Sequence, residues 1–383
     1  HATIRTMKAQ LNSTRLFNEN YFAFLAALDD AAAKGIKYII LPGDFSDDGQ
    51  PVNIRGLKRI LEEYSEKYGI TFFATTGNHD PVRPFAREGG KKDFMGEAGK
   101  PQPLMSKVGL HQADPDREYP VIITRDIHEM GYPEIVTQLG DFGFFPKEDY
   151  WYWETPFSSY SIDDYRFSVA VREAALDKRQ YPLPPFGTLI PDVSYLVEPV
   201  KGLWLLALDG NVYIPKDKIT GDTLDLHNYS GAGIGYNNVL THKKHLIEWV
   251  EKVTHQAESL GKTLVVFSHY PMVEFNDDAS AFINSLLGED KMQLYRVPGE
   301  DVARVFADAG IKLHFGGHMH INDTGIRKTG NGNTLVNVQI PSLADYIPAY
   351  KLLTIKNQDL MEIETVGHDS GPRNNQFNLL YQL

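Results

Sequence analysis

Residues 41–50, LPGDFSDDGQ, gather three carboxylates at the end of an apolar run. Asp44 follows Gly43 directly, and Asp47 and Asp48 come shortly after it. Carboxylates this close repel one another, so a site built from them holds a cation, pairs with other groups or faces water. An exposed Asp-rich turn has the same composition. The rest of the chain has to decide between a cation site and a turn.

Three further apolar runs end in the same way, with a small residue followed by a side chain that binds metals. Together with IILPGD, the runs FFATTGNH, VVFSHYP and KLHFGGHMH supply Asp44, Asn78, His79, His269, His318 and His320. One strand-end histidine alone is more often structural, but four such ends favour a shared site. In open α/β sheets, ligands bind beyond the carboxyl ends of the strands, where distant residues meet. Asp, Asn and neutral His suit Mn, Fe, Zn or related ions.

The apolar periodicity predicts the elements that must position these residues. Helical spacing over residues 15–34, 53–68 and 241–260 alternates with short apolar runs typical of buried strands. This order predicts an α/β fold with a largely parallel or mixed sheet. From about residue 85 to 198 the pattern gives way to Gly, Pro and aromatic residues, which we interpret as an insertion that packs over or beside the core.

The composition is that of an ordinary globular protein, with 383 residues, 42% hydrophobic content, a formal charge of −12 and no cysteine. The lack of cysteine excludes disulfides, thiolate zinc sites and cysteine nucleophiles. The acidic balance argues against long duplex nucleic acid as a partner. No run of about 18 apolar residues predicts a membrane span. The chain begins at His1 without Met, so an exported form and the localisation stay open. The sequence does not predict the oligomeric state.

Four motifs, in order along the chain, resemble those of the calcineurin-like metallophosphoesterases. They are Gly43-Asp44-Phe45-Ser46-Asp47 for G-D-x-x-D, Gly77-Asn78-His79-Asp80 for G-N-H-D, the lone His269, and Gly317-His318-Met319-His320 for G-H-x-H. The resemblance covers about residues 41–320. It implies a two-sheet α/β sandwich (αββα) in a single domain over residues 1–383, with the segment of about 85–198 as a cap-like insertion.

The resemblance also implies a dinuclear metal centre. Asp44 would bridge the two ions, Asn78, His269 and His318 would complete one site, and His320 would belong to the other. Two ions of this kind lower the pKa of a bridging water and hold phosphoryl oxygens. The resulting hydroxide would be the nucleophile.

The catalytic roles that the resemblance implies fall on His79 and Asp47. His79 would contact the phosphate and assist the leaving group as a general acid. Asp47, at the last position of G-D-x-x-D, would orient His79. Asp48 then has no assigned partner, and we interpret it as a solvated turn residue.

Other polar residues give weaker signals. Arg83 could contact a substrate phosphate, although a surface arginine has the same signature. Asp80 could brace the loop or a metal-bound histidine, and Asp209, at the end of the run LLALDGN, could lie beside the ligands or in a turn. We expect His314, in KLHF, to be a buried core histidine.

The first family motif, D-x-H, is missing upstream of LPGD, and so is the strand that should carry it. His1 could be the remnant of that motif or an accidental chain end. Asp126 and His128 form a D-x-H in VIITRDIHEM, but this segment follows G-N-H-D, so using it would require a rewired strand order. Without the motif, the second metal keeps only Asp44 and His320 among these candidates.

The sequence therefore predicts a metal-dependent hydrolase of phosphoric esters, with a small phosphorylated monoester or diester as substrate. Two alternatives stay open. One is a phosphoesterase-like binding protein that lacks turnover because its first metal motif is absent. The other is a nuclease, against which the acidic balance weighs for long duplex substrates.

Overall fold

In the computed structural model, the described residues are 4–216, 228–289, 291–357 and 360–367, so His1 lies outside them. Within these residues, no helix is both long and apolar enough to cross a membrane. The α-helices of the described residues are α1 (Met7–Leu11), α2 (Asn20–Ala33), α3 (Pro51–Tyr68), α4 (Tyr132–Gln138), α5 (Phe167–Glu173), α6 (Val239–His242), α7 (Lys244–Ser259), α8 (Ser280–Leu287) and α9 (Glu300–Asp308).

The strands are distributed along the whole described chain. They are β1 (Tyr38–Leu41), β2 (Thr71–Ala74), β3 (Gly90–Met95), β4 (Pro101–Met105), β5 (Ile122–Ile123), β6 (Tyr152–Glu154), β7 (Gln180–Leu183), β8 (Thr188–Pro191), β9 (Tyr195–Val200), β10 (Leu203–Leu208), β11 (Thr263–Ser268), β12 (Leu313–Gly316), β13 (Thr324–Lys328), β14 (Thr334–Gln339), β15 (Ala349–Ile355) and β16 (Met361–Gly367).

A seven-stranded sheet is the largest element of the fold, with the strand order β13-β14-β12-β11-β10-β9-β6. The inner pairs from β14 to β10 are parallel, and the pairs at both edges are antiparallel. The inner strands are almost continuously apolar, as expected for strands that are covered on both faces. In β10, residues 204–208 are all buried. The predicted α/β class with a mixed sheet is confirmed.

The strands β1 and β2 form a separate parallel pair, in register from Tyr38 with Thr71 to Leu41 with Ala74. The helix α3 connects them. Pro51 lies at its first turn, where its missing N–H costs no hydrogen bond, and Gly69 ends it with a left-handed φ of 66°. Hydrogen bonds tie β2 to the large sheet, since the Tyr195 hydroxyl donates to the carbonyl of Ala74 at 2.8 Å. The carboxyl ends of β1 and β2 therefore lie at one edge.

The range of about 85–198 is only in part an insertion. β3, β4 and β5 form their own three-stranded sheet, and β7 and β8 form a hairpin. In contrast, β6 and β9 pair with each other and extend the large sheet beyond β10. The interpretation of the whole range as an insertion is therefore wrong for these two strands. Short buried strands such as Tyr152–Glu154 carry too few residues to show alternation between turns.

Candidate metal centre

The loop after β1 holds Asp44 in a left-handed backbone conformation, and the loop after β2 packs tightly against it. Asp44 has a left-handed φ of 52°, and Gly43 before it has a φ of 86°. A Cβ atom at Gly77 would lie 2.2 Å from Asp44 Oδ1, so glycine is required where the two loops meet. The backbone N–H of His79 donates to the same Oδ1 at 2.9 Å. The loops after β1 and β2 are thereby fixed against each other.

Two histidines from the ends of β11 and β12 face Asp44. His269 Nδ1 lies 3.0 Å from the carbonyl oxygen of Pro42, and His318 Nε2 lies 2.9 Å from that of Gly233. Because a carbonyl oxygen only accepts, both of these nitrogens carry hydrogen. When the rings are neutral, the other nitrogens, His269 Nε2 and His318 Nδ1, present lone pairs, and these two nitrogens lie 3.0 Å apart. His269 Nε2 is also 3.1 Å from Asp44 Oδ2.

A cation explains this convergence of acceptors. One ligand atom from each of Asp44, His269 and His318 lies within 4.8 Å of the other two. Asn78 Oδ1 is buried and has no hydrogen-bond partner, which is costly for a polar atom unless something else binds it. Three oxygen and nitrogen acceptors with an orphaned amide oxygen suit Mn, Fe, Zn or a related ion. The residues present thus fit a metal of the expected class.

The charge states of these groups also suit metal binding. Burial would raise the pKa of Asp44, but the charge and hydrogen bond of His269 hold it well below its usual range. Burial lowers the pKa of His318 well below its ordinary value, and the charge of His269 lowers it further. An ionised carboxylate and a neutral imidazole are the forms that bind metals.

His320 lies apart from this cluster within the described residues. It has a left-handed φ of 56°, and its Nδ1 contacts Asp345 Oδ2 at 2.6 Å. The other carboxylate oxygen, Asp345 Oδ1, is buried without a hydrogen-bond partner. A histidine that binds a metal commonly donates its second ring nitrogen to a carboxylate. His320 therefore has the partner that a ligand would need, and Nε2 is the nitrogen left for a metal.

The partner of His79 is Asp48 and not Asp47, so the predicted role of Asp47 is wrong. His79 Nδ1 lies 2.6 Å from Asp48 Oδ1. Asp47 turns away and accepts from Arg5 Nη1 at 2.8 Å. Lys91 forms ion pairs with both carboxylates. The interpretation of Asp48 as a solvated turn residue is wrong for the same reason, because Asp48 is enclosed between a histidine and a lysine.

Arg15 contacts the other side of the His79 ring. Its guanidinium Nη2 lies 2.8 Å from His79 Nε2. A guanidinium only donates, so Nε2 accepts here and Nδ1 carries the hydrogen that it donates to Asp48. The sequence contained no local signal for this contact, because the two residues are 64 positions apart.

A comparison with protein families gives a match over the first part of the chain. The family model described as calcineurin-like phosphoesterase matches residues 17–154. This segment is therefore similar to the calcineurin-like phosphoesterases. A crystal structure of a dimetal phosphatase from Danio rerio is 10% identical to this chain and covers 93% of it, with 91% of that structure covered and a TM-score of 0.42. No curated protein matches the chain.

The matched segment contains Asp44, Asn78 and His79, whereas His269, His318 and the residues near them follow it. The buried cluster thus joins candidate ligands from both sides of the boundary. The predicted core histidine His314, on the strand β12 that precedes His318, is confirmed: it is fully buried and contacts Ser268 and Asn337.

Asp80 and Asp209 support the phosphoesterase loops without facing the ligand atoms. Asp80 accepts the backbone N–H groups of Asp44 at 2.9 Å, Ser46 at 3.0 Å and Gly77 at 3.1 Å. Burial and the charge of Asp44 raise the pKa of Asp80 to about 7. Asp80 therefore braces the loops, and none of its contacts is to a ligand histidine.

Asp209 is fully buried at the end of β10. It accepts from the hydroxyls of Thr76 and Tyr132 and pairs with Lys243 at 3.2 Å. Through Thr76, the residue before Gly77, Asp209 holds the loop after β2 in place. Arg83 is half-buried, and its Nη1 donates to the carbonyl of Val82. No contact of Arg83 within the described residues joins it to the cluster.

The second D-x-H is not part of the centre. Asp126 is exposed and pairs with Arg55 at 2.9 Å. His128 contacts the carbonyl of Arg125 and, at 3.3 Å, the carboxylate of Glu134. These partners all lie outside the cluster, so the rewired strand order is excluded.

Proposed function

We propose that this chain hydrolyses phosphoric esters of small substrates with the help of two metal ions. The family match supports the general class of metal-dependent phosphoesterase. One ion would be held by Asp44, Asn78, His269 and His318, and the other by Asp44 and His320. Identity of the metal and choice between monoesters and diesters are not specified by these ligands.

The observation that carries the proposal is that one ligand atom each from Asp44, His269 and His318 lies within 4.8 Å of the other two. His269 Nε2 faces His318 Nδ1 at 3.0 Å and Asp44 Oδ2 at 3.1 Å. Such a group is unfavourable unless a cation or a proton lies between its members.

Bound metal ions would activate water and neutralise the charge of the phosphoryl group. His79 then has the role of assisting the leaving group. Burial would lower the pKa of His79, but the hydrogen bond of Asp48 and the charge of Asp44 raise it above its ordinary value. A raised pKa favours the protonated form that a general acid needs. Asp48 would fix the ring through Nδ1 so that Nε2 faces the substrate.

The test is a pair of measurements on the same preparation. Metal content is determined by mass spectrometry, and hydrolysis is followed with p-nitrophenyl phosphate and with its bis ester, before and after treatment with a chelator. We expect two ions per chain, hydrolysis of at least one ester, and loss of the rate on chelation. The ratio of the two rates identifies the preferred ester class.

One structural observation favours a second function, that of a binding protein without turnover. Among the described residues, His320 pairs with Asp345 alone and stands apart from the buried cluster. If the second ion is not held, the preparation will contain about one ion per chain and hydrolyse neither ester. That result would overturn the hydrolase proposal.

A further inference from the structure

Arg15 is an unpaired cation at the candidate centre. The only side chain with which its guanidinium forms a hydrogen bond, among the described residues, is His79. None of the described carboxylates pairs with it. The neighbouring cations are different: Arg5 pairs with Asp47 and Asp93, and Lys91 pairs with Asp47 and Asp48. Arg15 therefore contributes a positive charge that no carboxylate of the described residues neutralises.

The chain beside Arg15 is tied to the loop that carries Asp345. The N–H of Leu16 donates to the carbonyl of Ala344 at 2.6 Å, next to Asp345, which holds His320. The N–H of Arg15 itself donates to Ser13 Oγ at 3.0 Å. Arg15 is half-buried, and its guanidinium reaches the His79 loop.

A neutral imidazole nitrogen is a weak partner for a guanidinium compared with an anionic oxygen. The guanidinium has several N–H groups in a planar fork that match a phosphoryl group. The contact also covers His79 Nε2, the nitrogen that faces the substrate in the proposed function. An arriving phosphoryl group can take over this donor and leave Nε2 free.

We propose that Arg15 binds a non-bridging oxygen of the phosphoryl group, and that this exchange of partners uncovers His79 Nε2. The proposal rests on the proposed function because it places the substrate between Arg15 and the metal ligands. No bond other than hydrogen bonds changes in this step.

The test measures binding of inorganic phosphate to the metal-loaded protein by calorimetry, independently of turnover. The variants are R15A and R15K, with R55A as the control, because Arg55 is an exposed arginine that pairs with Asp126 away from the centre. We expect R15A to weaken phosphate binding by about tenfold or more, as for loss of a hydrogen bond to a charged group. R15K should retain part of the affinity, and R55A should not change it.

Two results would overturn the proposal: equal phosphate affinity in R15A and the unmodified protein, or no phosphate binding by the unmodified protein. A fall in kcat with unchanged phosphate affinity would assign Arg15 to bracing His79 alone. Circular dichroism of each variant checks the fold, and R15K provides the result if R15A does not fold. A different result would overturn the proposed function: the unmodified protein would bind metals and phosphate but hydrolyse neither ester.

Discussion

The two groups of candidate ligands differ in how the fold holds them. Asp44, His269 and His318 come from the ends of three strands and bring one ligand atom each within 4.8 Å of the other two, and Asn78, after a fourth strand, has a buried amide oxygen without a partner. His320 lies two residues further along the chain than His318, and its side-chain partner among the described residues, Asp345, comes from a loop. In the proposed centre, strand ends of two sheets would therefore preform one metal site, whereas the second site would depend on a loop contact and on Asp44.

Replacement of the shared ligand should have the largest effect. D44N removes the charge that both proposed sites share. We therefore expect loss of both ions. Hydrolysis should fall by more than about 100-fold, because loss of a residue that only supports a metal ligand already costs up to about 100-fold. Metal analysis and rate measurements check this. H255Q is the matched control, since His255 is exposed on α7. Retention of both ions in D44N would contradict a bridging role.

Ligands of one group should affect only one ion. We expect H318A to lose the ion of the buried cluster and H320A to lose the other, each leaving about one ion per chain, because the ligand sets overlap only at Asp44. Ion counts by mass spectrometry separate the two variants. If both variants lose both ions, the sites fill cooperatively and the distinction between the two groups is wrong.

The acid side of the centre can be tested through Asp48. D48N removes the acceptor that orients His79. We expect kcat to fall by about tenfold or more. The loss should be smaller than the contribution of a general acid, which is about 100-fold or larger, because His79 itself remains. D47N is the matched control from the same turn, because Asp47 pairs with Arg5 and not with His79. An equal loss in D47N would restore the partner that the sequence motif predicted.

The loop-borne partner of His320 should have a smaller effect than the ligand itself. We expect D345N to weaken binding of the second ion by about tenfold and to leave the first ion in place, since Asp345 acts through the orientation of His320. Titration of metal into the apo protein gives both affinities. Unchanged binding would show that the contact with Asp345 is not needed.

A histidine outside the proposed centre provides a reference for the buried ones, and its effect falls on stability and not on activity. Burial lowers the pKa of His314 to about 4. The neutral form therefore stabilises the folded state above pH 6.5, and this contribution is lost as the pH falls from 6.5 to about 4. In urea unfolding of apo protein, we expect H314Q to remove about 3 kcal/mol of this pH dependence. If the free energy of unfolding depends on pH in the same way in H314Q and in the unmodified protein, the lowered pKa of His314 is contradicted.

The clustering of Asp44, His269 and His318 could be predicted because each motif is local and its position at a strand end follows from short apolar runs. The choice between Asp47 and Asp48 could not, because both lie in one turn and their directions are set by Arg5 and Lys91. Arg5 and Lys91 do not belong to any of the sequence motifs, and each is more than 40 residues from its partner in the turn.

Arg15 and Asp345 were missed for a related reason. Each meets its histidine only after the chain has folded, and neither lies next to a motif residue. The class of fold was evident from the alternation of helices and strands, but β6 and β9 were hidden in an irregular stretch. Pairing with β10 assigns them to the sheet, and pairing is a property of the folded chain.

The carboxylate of Asp80 receives three backbone amides and the hydroxyl of Ser46 from the two loops that carry Asp44 and Asn78. Those loops can therefore move only as one unit. Filling the centre should demand little rearrangement of the main chain, so the protein would take up its ions quickly and hold the same shape with or without them.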